Sequence, residues 1–159
     1  MPGSTNKKVV VVRFDREPAT GYAPASFDES DNLEVLTPAG SILTMPYRDV
    51  KAVCFVKSWE EPVGIEERRS FGSRPRLEGL WVKALFRDGD FLELLLPNRL
   101  LDLPVSGFLG APPDAAGNAQ RVFIPRVALT DCVVLGVIGA SRKASARKPG
   151  AEGQLKMFD

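Results

Sequence analysis

Asp49-Val50-Lys51-Ala52-Val53-Cys54-Phe55-Val56-Lys57 decides the fold class. Val50, Ala52, Cys54 and Val56 alternate on one face, as in a strand with period two. Val53 and Phe55 make the opposite face apolar as well. An apolar run of this kind, closed by charge at both ends, reads as a strand buried on both sides. The β-branched run Val9-Val10-Val11-Val12 inside Lys8–Phe14 reads the same way.

Working outward, further strands are expected at Thr20–Ala23, Leu33–Thr37 and Ser41–Met45, with Pro38-Ala39-Gly40 turning between the last two. The second half adds Leu80–Phe86, a turn at Asp88-Gly89, and Phe91–Leu96. Gly107–Ala111, Arg121–Ile124 and Leu129–Ile138 complete the series. Thirteen prolines and fourteen glycines break any long helical period. The chain therefore reads as all-β, as two small, strongly bent sheets or barrels. Residues 8–57 form the first, 58–78 a charged connector, 79–139 the second, and 140–159 a tail.

The halves resemble each other. Arg13-Phe14-Asp15 matches Phe86-Arg87-Asp88, and Met45-Pro46 with Val50 matches Ile124-Pro125 with Leu129. The offsets are 86 − 14 = 72 and 125 − 46 = 79, which puts about seven extra residues in the second copy, most simply at Pro112–Asn118. The competing reading is that two β-rich halves align this well without being a repeat.

Composition excludes several functions. Histidine is absent, so there is no Ser-His-Asp or Cys-His set, no histidine metal ligand and no histidine pH switch. Two cysteines, Cys54 and Cys132, cannot build a four-ligand zinc site or a disulfide framework. Both sit in apolar strands, where a thiol is expected to be buried and inert. No apolar run reaches the roughly 18 residues of a membrane span, and Met1–Lys8 does not read as a signal peptide. A cytoplasmic, non-catalytic protein without a cofactor is the expectation.

Charge is unevenly spread. From Ser141 onward five basic and two acidic groups give +3, and the other sixteen basic and eighteen acidic groups leave the body at −2. A nucleic-acid-binding body would ordinarily show a basic excess, although a local basic face stays compatible with these sums. In the connector, Arg68, Arg69, Arg74 and Arg76 can grip a phosphate or a cyclic dinucleotide through their guanidinium forks. Five glutamates nearby favour a solvated connector instead. No PilZ-type Asp/Asn-x-Ser-x-x-Gly strand follows. Trp59 and Phe71 point to a connector that folds back and packs. The acidic turns Asp28-Glu29-Ser30-Asp31 and Asp88-Gly89-Asp90 read as a hard-cation site or as plain turns.

The terminal peptide is the most specific feature. Gln154-Leu155-Lys156-Met157-Phe158 resembles the clamp-binding peptide of bacterial replication and repair proteins, Gln-Leu-x-Leu-Phe, with Met157 in place of the second Leu. In such a peptide Leu155, Met157 and Phe158 fill an apolar groove, while the Gln154 amide donates and accepts at its entrance. The resemblance implies recruitment by a bacterial DNA polymerase sliding clamp. Residues 141–153 are polar and rich in Arg, Lys, Ala, Ser and Gly, a composition expected to be disordered and to serve as a tether. The alternative is an apolar end that folds back on the body.

Two resemblances concern the body. Gly21-Tyr22, Ser26-Phe27-Asp28 and Asn32-Leu33 resemble the second and third strands of the Sm-like small barrels. That implies strong bending at the glycine, an RNA-contacting loop, and a nucleic-acid-binding module as the alternative function. Val50–Lys57, Gly79–Val82, Phe86–Gly89, Pro112–Asn118 and Arg121–Pro125 resemble an uncharacterised bacterial domain family found alone or beside PilZ-type modules. No activity follows from that likeness. A ligand-sensing or protein-interaction domain is the third reading.

Overall fold

A computed structural model describes residues 6–24 and 31–139. It is all-β, with ten strands: β1 (Asn6–Arg13), β2 (Ala19–Pro24), β3 (Asn32–Leu36), β4 (Ile42–Pro46), β5 (Val50–Val56), β6 (Gly79–Phe86), β7 (Phe91–Leu96), β8 (Gly107–Gly110), β9 (Ala119–Pro125) and β10 (Leu129–Ile138). Each expected strand is present. Three-residue 3-10 turns at Tyr47–Asp49, Leu100–Asp102 and Arg126–Ala128 were not anticipated. The tail at 140–159 and the Ser26-Phe27-Asp28 element lie outside the described residues.

The strands form two sheets, neither closed into a barrel. One runs β4-β3-β2-β1-β5-β9-β8 and the other β10-β6-β7. The sheets do not sort by half, because β8 and β9 extend the sheet begun by β1–β5. A Leu95–Ala111 bridge joins β7 to β8, so the ten strands follow one another as a single ribbon. Its order is β4-β3-β2-β1-β5 and then β9-β8-β7-β6-β10. Both halves use the same order, fourth-third-second-first-fifth.

Register makes the repeat quantitative. Val11 pairs with Val53 as Ala84 pairs with Cys132, and Arg13 pairs with Val50 as Phe86 pairs with Leu129. Each fifth strand skips one residue there, Lys51 and Thr130, as a bulge does. Phe14 N–H donates to the Asp49 carbonyl and Arg87 N–H to that of Ala128. The first-strand offset is therefore 86 − 13 = 73, not 72. Leu33 pairs with Met45 as Phe108 pairs with Ile124, so the third-strand offset is 108 − 33 = 75 and the fourth 124 − 45 = 79. The second half has six extra residues rather than seven: two between β7 and β8 and four between β8 and β9.

Two apolar layers hold the ribbon. Val50, Val53 and Phe55 face one layer with Val9, Val11 and Val35, while Ala52, Cys54 and Val56 face the other with Val82 and Leu94. The strand is buried on both sides as expected. The bulge at Lys51 moves Val50 from the face its alternation suggests to the other one. Fully burying a Val, Leu or Phe is worth about 1.5–3 kcal/mol, so these layers dominate stability. Gly21 lets β2 meet β3, because a Cβ there would lie 2.5 Å from both the Leu36 carbonyl oxygen and Val35 Cγ1.

Candidate functional site

The connector folds back as Trp59 and Phe71 suggested. Trp59 Nε1 donates to the Val9 carbonyl at 3.1 Å, and the indole meets Tyr22 edge-on at 5.1 Å. The Glu93 carboxylate accepts from Phe71 N–H and Trp81 Nε1, each at 3.0 Å. Asn118, a buried polar side chain, secures the start of the connector. Its Oδ1 accepts from the N–H groups of Lys57 and Ser58, and Nδ2 donates to the Ser58 carbonyl at 2.9 Å. Asn118→Ala should cost about 1–3 kcal/mol for each group left without a partner. The expected readout is a lower denaturation midpoint at unchanged slope, with faster tryptic cleavage at Arg68–Arg76.

This folding separates the four connector arginines. Arg69 turns to Asp90, at 3.5 Å. Arg68, Arg74 and Arg76 line a cleft of about 330 Å³ with Phe71, Leu95 and Pro112. Within it Arg74 also donates to the Val137 carbonyl at 3.2 Å. Three exposed guanidiniums beside an aromatic ring offer hydrogen-bond donors of the kind a phosphate-bearing ligand accepts from.

The acidic hairpin is engaged by a lysine. Lys51 Nζ lies 2.7 Å from Asp88 Oδ2 and 2.5 Å from Asp90 Oδ2, above the Phe86 ring. Burial alone would depress this ammonium, but its hydrogen bonds to Asp88 and Asp90 hold it above the ordinary lysine range. Asp88 is also partly desolvated, yet the bond from Lys51 keeps its carboxyl below the usual range. Gly89, at φ 96°, closes the turn. The two carboxylates thus act as a lysine clamp that ties β5 to the β6–β7 hairpin.

A larger cleft of about 640 Å³ was not anticipated. It lies where the two copies of one turn meet, lined by Asp31, Asn32, Tyr47, Arg48, Ser106 and Arg126 among others. Tyr47 N–H donates to the Asp31 carbonyl as Arg126 N–H donates to that of Ser106. Arg87 bridges the turns, donating to the Arg48 and Val127 carbonyls while its guanidinium lies over Phe14. Ser106 Oγ is buried and has no hydrogen-bond partner among the described residues. Matching Pro46 and Pro125 before the two turns was the only hint in the sequence.

Cys54 is buried as expected, whereas Cys132 is only partly covered. Burial, helped by the Glu66 charge, pushes Cys54 up to about 12, and half-burial with Asp131 nearby raises Cys132. Native protein should react slowly with a thiol reagent, Cys132 first and Cys54 only on unfolding. Fast labelling of Cys54 would contradict its burial. Gln154, Leu155, Met157 and Phe158 lie outside the described residues. No helix among the described residues is long and apolar enough to cross a membrane.

A family described as "Family of unknown function (DUF6982)" matches residues 5–136. No curated protein and no solved structure matches the chain.

Proposed function

The chain belongs to this family of unknown function, and from that premise we propose that it is a non-catalytic accessory protein. In this reading the C-terminal peptide carries it to sites of DNA replication and repair by docking on the bacterial sliding clamp. One observation carries the proposal: Gln154-Leu155-Lys156-Met157-Phe158, with three apolar anchors and an amide at clamp-peptide spacing. The polar stretch 141–153 supplies the reach a docking peptide needs. Full-length chain should be retained on an immobilised bacterial sliding clamp, and a chain ending at Gly139 should pass through. Equal retention of both would overturn the reading.

A second reading rests on the larger cleft. Arg48 and Arg126 line it together with Tyr47, an arrangement that suits the phosphates and bases of a single-stranded nucleic acid in an Sm-like module. Binding of RNA or DNA should then fall steeply with salt, and R48A/R126A should weaken it and flatten that slope. Binding unaffected by either would remove this alternative. In the third reading, the Arg68, Arg74 and Arg76 cleft takes a phosphate-bearing ligand.

A further inference from the structure

Inside the chain the two halves meet by one strand pairing. The fifth strand of the first half, β5, lies antiparallel to the fourth strand of the second, β9, with Val53 opposite Phe123, Cys54 opposite Val122 and Phe55 opposite Arg121. The ribbon therefore ends on the other two members of the same kinds. β4, a fourth strand, is one outer edge, and β10, a fifth strand, is the other. Among the described residues neither pairs with a strand on its outer side.

We propose that copies of this chain join head to tail, β10 of one copy pairing antiparallel with β4 of the next, in the register the internal junction already uses. The 79-residue offset carries Val53, Cys54 and Phe55 to Cys132, Val133 and Val134. It carries Phe123, Val122 and Arg121 back to Thr44, Leu43 and Ile42. The expected pairs are thus Cys132 with Thr44, Val133 with Leu43 and Val134 with Ile42.

The exposed side chains agree with this register. At the internal junction Cys54 is 0% exposed and Phe55 6%, whereas their equivalents Val133 and Val134 are 41% and 58% exposed. Leu135, Val137 and Ile42 on the same two strands are also large and exposed. Ten-residue β10 carries one charged residue, Asp131, and neither lysine nor proline to discourage pairing. The Arg74 guanidinium reaches the Val137 carbonyl, beyond the stretch that would pair. Since β4 and β10 are different surfaces, the contact is heterologous, and repetition gives a ring if the rotation closes and a filament otherwise.

Light scattering on the full chain tests this, with I42K and V134K as variants. Both replace exposed side chains, and unchanged far-ultraviolet circular dichroism would verify their folding. Wild type should show at least twice the 17.3 kDa chain mass. Each variant alone should fall to the chain mass, because each loses one of the two edges. Mixed one to one they should form a dimer, using the intact β10 of I42K and the intact β4 of V134K. Wild type at the chain mass up to roughly 100 μM would overturn the proposal. An I42K oligomer, or a mixture that stays monomeric, would overturn it too.

Discussion

Phe123→Ala should destabilise both halves of the body together, by about 3–5 kcal/mol. Phe123 belongs to β9 in the second half, yet it is fully buried in the apolar layer of the first, edge-on to Tyr47 at 6.2 Å. Truncation leaves a cavity at the junction between β5 and β9. Domains of this size have only about 5–15 kcal/mol in total, so the melting temperature should drop by on the order of 10 °C or more. The chain's two tryptophans report the halves separately. Trp59 bonds to β1, and Trp81 sits in β6. Single-tryptophan variants should melt coincidentally with and without F123A. A drop seen only through Trp59 would mean that the halves fold independently.

The second large effect concerns the tail. Replacing Leu155 and Phe158 together with Ala should weaken binding to a sliding clamp at least a hundredfold, because two anchors at roughly 1.5–3 kcal/mol each are lost. Lys156→Ser should leave affinity unchanged or improve it, since in a docked peptide that side chain would face solvent. A peptide that folds back would behave otherwise: the double substitution would lower the melting temperature of the body and leave clamp binding untouched.

All ten strands were legible because alternation and turn residues are local, and β7 and β10 match at both ends. The fifth strand was legible as doubly buried, but not the side to which Val50 belongs. A bulge adds one unpaired residue that no local pattern displays, and Lys51 looks like any other strand lysine. The repeat was visible in Met45-Pro46 and Ile124-Pro125, but its offsets needed the pairing of residues far apart in the chain. Pairing of β5 with β9 was illegible for that reason, since it joins strands separated by the whole β6–β8 segment.

The sites were less legible than the fold. Charge counting placed four arginines in one connector but could not show that Asp90 draws Arg69 away while the other three share a cleft. The larger cleft is assembled from two turns and a lone hydroxyl, none unusual by itself. Only their symmetric meeting brings Arg48, Arg126 and Ser106 together. The acidic hairpin left a cation site and a plain turn both open in the sequence, because the lysine that occupies its carboxylates comes from a strand 37 residues earlier. Sequence proximity carries turns and strands well. It carries convergent side chains poorly.

The recruitment account stands on a linear motif, and a linear motif works without its body. A synthetic peptide covering Glu152–Asp159, titrated into a bacterial sliding clamp by calorimetry, therefore tests it most directly. Few anchors and the cost of ordering a free peptide set the expected dissociation constant on the order of micromolar. No binding at hundreds of micromolar, about −5 kcal/mol, would contradict the account.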